Sequence, residues 1–492
     1  VQAFADGSKT YRVLENLLQN AKKYSAADSR VYVRVYKQGD FGVFEIKNIS
    51  AEPLNIFSSG GRKYKSVLNI LSIIAMAVML GIQIYVLLTH KVVLASDSQR
   101  YFELATNAVK NGVWYPSSLN IYDTYIFGNG LINLLILSIR LTGSIEAIKF
   151  VNIFCIYAIL ISCIYIIRKI FGDTEIQYWF TVIFCSTGTF WGEVAQARTE
   201  LIFMAFAFGA TALLMTGKIY TCLISGIFFA LANWRRLLGV VFLIAGIWLL
   251  ATQRAKLKQY LCLVLGAAVT VCVIGGIAYF NCGYFAYQAT TGGYNLLMGA
   301  SEGADGTSKF EVFGEGGAGY LSEKQKSEMT FKEKDAFYKS EAMKWIKENP
   351  GDYIKLMPKK MLVTLYSEGY SLGTFYNDAT AGNGGAFYRG LIGRMTGQSE
   401  EKLSSADIIV IWTQAIYMIT LVLAFACVVF LIVKRRAAKL MPFIFTVAGA
   451  IGVTMLLVGG PRYHFPILPY IIMAAAILIQ SVATLKEHKN EA

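Results

Sequence analysis

One carboxylate stands where an apolar segment gives way to a polar loop. Asp97 lies in Ala95-Ser96-Asp97-Ser98-Gln99-Arg100-Tyr101-Phe102-Glu103-Leu104-Ala105. As a cap, it accepts hydrogen bonds from the first amides of a short helix over 98–111, whose apolar face carries Phe102, Ala105 and Val109. As a base, it takes the proton of an acceptor hydroxyl at the membrane–water boundary. The two readings are compatible, because a cap also fixes a carboxylate in place. Glu103, Asp123 and Glu200 are rival carboxylates. The loop continues through Trp114-Tyr115-Pro116 to Tyr122-Asp123-Thr124-Tyr125-Ile126-Phe127-Gly128-Asn129-Gly130. Its aromatic residues suit either an interfacial belt or the lining of a sugar site.

Three further polar clusters sit at the boundaries of apolar segments, where charge is costly and tends to be functional. Arg198-Thr199-Glu200 opens one segment, and Asn233-Trp234-Arg235-Arg236 interrupts another. Gly459-Gly460-Pro461-Arg462-Tyr463-His464 precedes the last. Arg235-Arg236 reads as a plain turn between helices, or as a phosphate clamp, since arginine offers planar bidentate donors. The candidate substrate-binding residues are Tyr101, Asp123, Tyr125, Arg198, Glu200, Arg235, Arg236, Arg462, Tyr463 and His464, with Asp97 as the candidate catalytic residue. No metal ligands are assigned. Only three His are present, and seven of the eight Cys lie inside apolar runs, as small buried hydrophobes do.

The elements that position these residues are set by composition. Of 492 residues, 55% are hydrophobic and 16% charged, and the mean hydropathy is +0.47. A soluble chain carries about a quarter charged residues. A cytosolic enzyme, a DNA-binding protein and a disulfide-built secreted domain are therefore excluded as the whole account. The apolar runs approach the ~20 residues of a bilayer span: 67–89, 127–142, 147–167, 176–192, 199–216, 219–234, 237–252, 259–281, 406–433, 441–459 and 464–483. The expected fold is an all-α polytopic membrane protein of about eleven transmembrane helices, with the first span as a signal anchor.

The net charge of +14 reads as the positive-inside pattern rather than nucleic-acid binding. Lys and Arg cluster at run ends, as in Arg62-Lys63-Tyr64-Lys65, Arg168-Lys169, Arg254 with Lys256 and Lys258, and Lys434-Arg435-Arg436. The N-terminus is expected to be cytoplasmic and loop 90–126 external. Strict alternation conflicts with the later charges by one crossing, so one segment between 127 and 192 is a half-span or one charge assignment is wrong. Residues 282–405 read as a nearly neutral external loop domain. It opens on a Gly-rich mobile loop (Gly292 to Gly319), then a helix over 322–349, an amphipathic helix over 352–367 and a second Gly-rich loop, Gly382-Asn383-Gly384-Gly385. The expected division is 1–56, a catalytic module 57–281, the loop domain 282–405, and terminal helices with a cytoplasmic tail 406–492.

In order and spacing these motifs resemble the GT-C integral-membrane glycosyltransferases, in particular the dolichyl-phosphate-mannose–protein mannosyltransferase-like family, family 39. The matching pieces are Asp97, Tyr101 and Ala105; Tyr125, Gly128 and Gly130; Arg198 and Glu200; Trp234-Arg235-Arg236; Arg462 to Pro469; and Glu348-Asn349-Pro350-Gly351-Asp352-Tyr353 through Lys359-Lys360. The resemblance covers about 60–486. It implies a polyprenyl-phosphate-linked sugar donor, an active site on the external face of the plasma membrane, and inverting transfer with Asp97 as base. The candidate cofactor is a divalent cation at most. The family's Asp-Glu pair reads Asp97-Ser98 here, and the Pro usual between Tyr125 and Gly128 is missing. The acceptor therefore stays open among protein, lipid and glycan. A lipid-linked saccharide flippase or polymerase is one alternative, and a membrane sensor kinase fragment is the other.

Residues 1–56 resemble a truncated ATP-binding domain of a sensor histidine kinase. Tyr11 to Ser25 match its Asn-containing box, with Asn20 implied at magnesium and Lys23 facing phosphate, and Val31–Tyr36 and Val43–Ile49 read as strands. The later Gly-rich boxes are absent, so a fusion or misjoined fragment is expected rather than a working kinase. Val1 at the start points the same way, to a chain cut from something longer.

Overall fold

The computed structural model describes residues 7–24, 31–38, 41–48, 62–94, 97–114, 120–126, 128–378, 384–434 and 437–491. Tyr115-Pro116, Gly382-Asn383 and Arg435-Arg436 lie outside the described residues. The chain divides into two compact units, one of residues 1–58 with 483–492 and one of 59–482. The first contains a helix, Gly7–Tyr24, and an antiparallel hairpin of Val31–Gln38 with Phe41–Asn48, in which Val31 faces Asn48.

The second unit is helical throughout its regular structure. Among the described residues, five helices are long and apolar enough to cross a membrane: Tyr64–Thr89, Ile148–Phe171, Leu257–Asn281, Ser405–Val433 and Pro461–Thr484. At 1.5 Å per residue, 24–29 residues exceed the roughly 30 Å hydrocarbon thickness. Six further apolar helices among the described residues are shorter: Gly130–Thr142, Ile176–Ser186, Glu200–Leu214, Ile219–Arg235, Gly239–Thr252 and Met441–Leu456. The last long helix is 78% buried and the first only 22%, so the C-terminal helix is the post around which the others pack. Residues 282–405 belong to this same compact unit.

The expected span 176–192 is not one helix. Ile176–Ser186 is 11 residues, roughly half a bilayer in length. The chain then turns through Thr189–Gly192 and a 3-10 turn, Glu193–Ala195, before Glu200–Leu214 begins. Close packing ends the helix. A Cβ on Gly188 would overlap Thr413 Oγ1, and one on Gly192 would overlap the Ser371 carbonyl. Irregular backbone in an apolar bundle must find its hydrogen bonds inside the protein. Asn152, buried on the Ile148–Phe171 helix, donates to the carbonyls of Glu193 (3.1 Å), Val194 (3.0 Å) and Gln196 (2.7 Å). The Val93 amide takes the Ala195 carbonyl at 2.9 Å.

Two expectations within 282–405 are also corrected. The helix over 322–349 is two, Glu323–Glu328 and Phe331–Glu348. Each has its own capping box, Ser322 with Gln325 and Thr330 with Glu333, and the second restarts the chain. The Gly-rich opening is not simply loop, because Gly292–Gly299 is helical. Its glycines serve close approach: a Cβ on Gly293 would overlap the Asp335 carbonyl, and one on Gly299 the Leu457 carbonyl.

Asn152→Leu removes three hydrogen bonds and leaves buried carbonyls unpaired, at a cost of about 1–3 kcal/mol. Thermal unfolding of the detergent-solubilised chain should show a clear drop. Phe154→Leu, on the 72% exposed side of the same helix, should leave the midpoint unchanged.

Candidate functional site

Asp97 opens the helix Asp97–Lys110, whose Ala105 and Ala108 are buried. The helix N-terminus favours the carboxylate there. Arg462 arrives from the other end of the chain. The Gly459 amide donates to the Gly306 carbonyl at 3.0 Å, and a Cβ on Gly459 would sit 2.6 Å from the Lys360 carbonyl. The chain thus threads a gap only glycine passes, then makes the 3-10 turn Pro461–Tyr463. Arg462 Nη1 donates to Asp97 Oδ2 at 2.9 Å across 365 residues of sequence, and to Tyr370 Oη at 3.4 Å.

Two sequence motifs meet nearby. Gly128 and Gly130 lie against the Trp234-Arg235 turn: a Cβ on Gly128 would come 2.9 Å from the Trp234 carbonyl, and one on Gly130 would come 2.6 Å from Arg235 Cζ. Arg235 stacks on Trp234 at 4.8 Å. Its Nε and Nη1 have no hydrogen-bond partner among the described residues. The other arginines are paired. Arg236 bonds Glu200, and Arg198 bonds Glu193 at 3.2 Å. Arg198 also lies 3.9 Å over the Tyr370 ring.

These residues line one cavity of about 900 Å³. It includes Asp97, Tyr101, Asp123, Tyr125, Arg198, Glu200, Arg235, Arg236, Arg462 and Tyr463. Burial and the Asp97 charge hold the Tyr101 phenol protonated, well above its ordinary range. Burial pushes the Asp123 carboxyl up, against the pull of Arg100 and Lys334. One flank of the cavity is apolar, built by Leu237, Leu238, Ala450, Val453, Leu457 and Val458. The arrangement offers a carboxylate, guanidinium groups, aromatic faces and apolar side chains in one space. Among the described residues no group of three or more His, Cys, Asp and Glu converges as a metal site requires.

His464 is the exception among the candidates. It does not line the cavity. It is buried beneath it, bonded through Nε2 to Glu368 and through Nδ1 to the Thr364 carbonyl at 2.6 Å, and stacked on Tyr417 at 4.8 Å. Glu368 also accepts from Thr189 Oγ1 at 2.6 Å, and its amide donates to Gln414 at 3.0 Å. His464 therefore pins the turn carrying Arg462 to the segment Gly369–Tyr376 that carries Tyr370. Sequence reasoning missed Glu193, Glu368, Tyr370 and Ser371, whose Oγ bonds Glu193. It also passed over Arg100, Tyr294 and Asp335. Only the unusual placing of Glu193 beside apolar helices could have signalled any of them.

No protein-family model matches this chain, and no curated protein matches it. Among solved structures it is similar to the Archaeoglobus fulgidus oligosaccharyltransferase in the apo form, with 13% identity over 86% of this chain and a TM-score of 0.43. It is also similar to the archaeal oligosaccharyltransferase AglB from Archaeoglobus fulgidus in complex with an inhibitory peptide and a dolichol-phosphate, with 13% identity over 88% and a TM-score of 0.43. The chain spans about half the length of each, 51% and 52%.

His464→Leu strands the buried Glu368 carboxylate, and removing one member of a buried pair costs about 3–5 kcal/mol. The unfolding midpoint should fall sharply in His464→Leu. His464→Gln, which restores a donor, should recover part of the loss.

Proposed function

We propose that the cavity is the active site of a GT-C-type membrane glycosyltransferase, which moves a sugar from a polyprenyl-phosphate carrier to an acceptor hydroxyl. The observation that carries this reading is the joining of Asp97, the arginines and an apolar flank in one cavity. A polyprenyl phosphate needs those last two features together: cations for its phosphate and an apolar channel for its first isoprene units. The sequence motifs support the same class.

In this reading the acceptor oxygen attacks the anomeric carbon while Asp97 takes its proton. The carbon–oxygen bond to phosphate breaks on the opposite face, and polyprenyl phosphate leaves with its charge. The step is single and inverting, and the leaving group needs cations rather than an acid. Arg235, uncommitted to any carboxylate, is the primary phosphate ligand, and Arg236 and Arg198 add charge beside it. Arg462 orients Asp97. In this reading the N-terminus is cytoplasmic and the cavity opens at the external face of the plasma membrane, a reading supported by the basic residues before the first span.

Asp97→Asn keeps the side-chain size and a hydrogen bond to Arg462 but removes the base. In proteoliposomes loaded with labelled donor, kcat should fall about 10²–10⁴-fold with donor affinity little changed. Near-normal turnover would move the role to Asp123 or Glu200. A flippase would keep its transport in this variant, which separates the two readings.

Arg235→Ala is the cleaner test of the donor phosphate, because Arg236→Ala would also leave Glu200 uncompensated. Losing a charge-assisted contact should weaken polyprenyl-phosphate binding about ten- to a hundredfold, read as a higher donor KM at unchanged stability.

A further inference from the structure

The cavity has a second side whose chemistry the donor does not use. Loop 120–126, residues 288–295 and the helix Phe331–Glu348 are stitched into one face, and Phe310 lines the same cavity. The Thr290 amide donates to the Ile126 carbonyl at 3.0 Å, and the Phe331 amide to the Ile121 carbonyl at 2.7 Å. The Ile126 amide donates back to Thr290 Oγ1 at 3.1 Å. The Gly293 amide donates to Asp335 Oδ1 at 2.7 Å. Lys334, fully buried, clamps the loop by donating to the carbonyls of Tyr122 and of Lys326, the latter at 2.7 Å.

This face presents rings, the carboxylates Asp123 and Asp335, the amide of Asn295 and one guanidinium, Arg100. Tyr125 and Tyr294 lie 5.0 Å apart, and Tyr294 stacks on Phe313 at 4.0 Å, which fixes its plane. Phe310 lines the cavity yet is 60% exposed. Asp335 spends Oδ1 on the Gly293 amide, which leaves Oδ2 for a ligand hydroxyl. Asn295 spends its amide nitrogen on Thr291 at 3.3 Å, which leaves its carbonyl. Arg100 is the one basic side chain among the cavity residues of this side, and it lies 3.5 Å from Glu103.

We infer that this side is the acceptor subsite and that it takes an uncharged carbohydrate. This rests on the proposed glycosyltransferase reading. Flat aromatic faces accept the apolar face of a pyranose ring, and carboxylate and amide oxygens accept its hydroxyls. Asp335 and Asp123 disfavour a phosphate or uronate, which is the opposite of the arginine side. The two sides thus sort the two substrates by charge: the anionic lipid carrier to the arginines, the neutral acceptor to the carboxylates. Asp97 lines the same cavity as Tyr125 and Tyr294 on this side and Arg235 and Arg236 on the other, and Arg462 holds it.

The test uses the full chain in nanodiscs and saturation-transfer NMR. The probes are neutral hexose trisaccharides, the same trisaccharides ending in a uronate, and a Ser/Thr peptide, each measured with and without polyprenyl phosphate. Neutral trisaccharides should bind, and the uronates should bind at least about tenfold more weakly, as one like-charge contact implies. Asp335→Asn, which keeps the Gly293 hydrogen bond, should close that gap to about threefold or less. Phe310→Ala, at an exposed position, should weaken the neutral saccharides, and Phe310→Tyr should restore them. Polyprenyl-phosphate affinity should be unchanged in these variants. Uronates binding as well as neutral sugars, no saccharide binding at all, or a peptide that binds where saccharides do not, would overturn the inference. Saccharide binding without polyprenyl-phosphate binding would leave the acceptor subsite standing and overturn the donor reading.

Discussion

The ion pair between Arg462 and Asp97 ties the first polar loop to the central helix, and the geometry of the cavity depends on it. Charges at one end of an apolar bundle are tolerable only when paired, because desolvation otherwise exceeds any gain. Two pairings cross the sequence, Asp97 with Arg462 and Glu200 with Arg236, and act as ties as well as neutralising contacts. The third, Glu193 with Arg198, is local. Three of the four central arginines are consumed this way. Arg235 lines the cavity without a carboxylate partner, and its Nε and Nη1 are buried against Gly130 with no hydrogen-bond partner among the described residues.

A second constraint acts through the backbone. The bundle contains a half-length helix and an irregular segment at 187–199, which deliver Glu193, Arg198 and Glu200 to the site. Asn152 satisfies three carbonyls of that segment from one side chain. Glycines supply the close approaches: Gly192 beneath the Ser371 carbonyl, Gly128 and Gly130 beneath the Trp234-Arg235 turn, Gly459 beside Lys360. The Tyr125-x-x-Gly128-x-Gly130 motif and the Trp234-Arg235-Arg236 turn are thus two halves of one contact.

Much of the fold was legible in the sequence because a bilayer imposes hydropathy on the helices it surrounds. Among the described residues each of the eleven apolar runs meets an apolar helix, five of them long enough to cross a membrane and six shorter. Polar residues at the ends of apolar runs were also visible. Asp97, Glu200, Arg235, Arg236 and Arg462 each break a run and each line the cavity. What was not visible depends on tertiary contact. His464 has the same sequence context as Arg462 two residues earlier, yet the turn points it down onto Glu368. Glu368 and Tyr370 follow an amphipathic helix with no local pattern to mark them. The Gly-rich opening of 282–405 read as loop because glycine needed for close packing looks the same in sequence as glycine needed for a turn.

The central claim is that a polyprenyl phosphate sits with its phosphate at the arginines and its chain along Leu238, Val453 and Leu457. Photolabelling tests it most directly. A polyprenyl phosphate carrying a diazirine on its first isoprene unit is irradiated with the full chain in nanodiscs, and adducts are mapped by mass spectrometry. The account predicts adducts within 234–238 and 450–458 that unlabelled polyprenyl phosphate suppresses. Adducts confined to outward faces such as the helix Leu257–Cys282, with no competition, would contradict it.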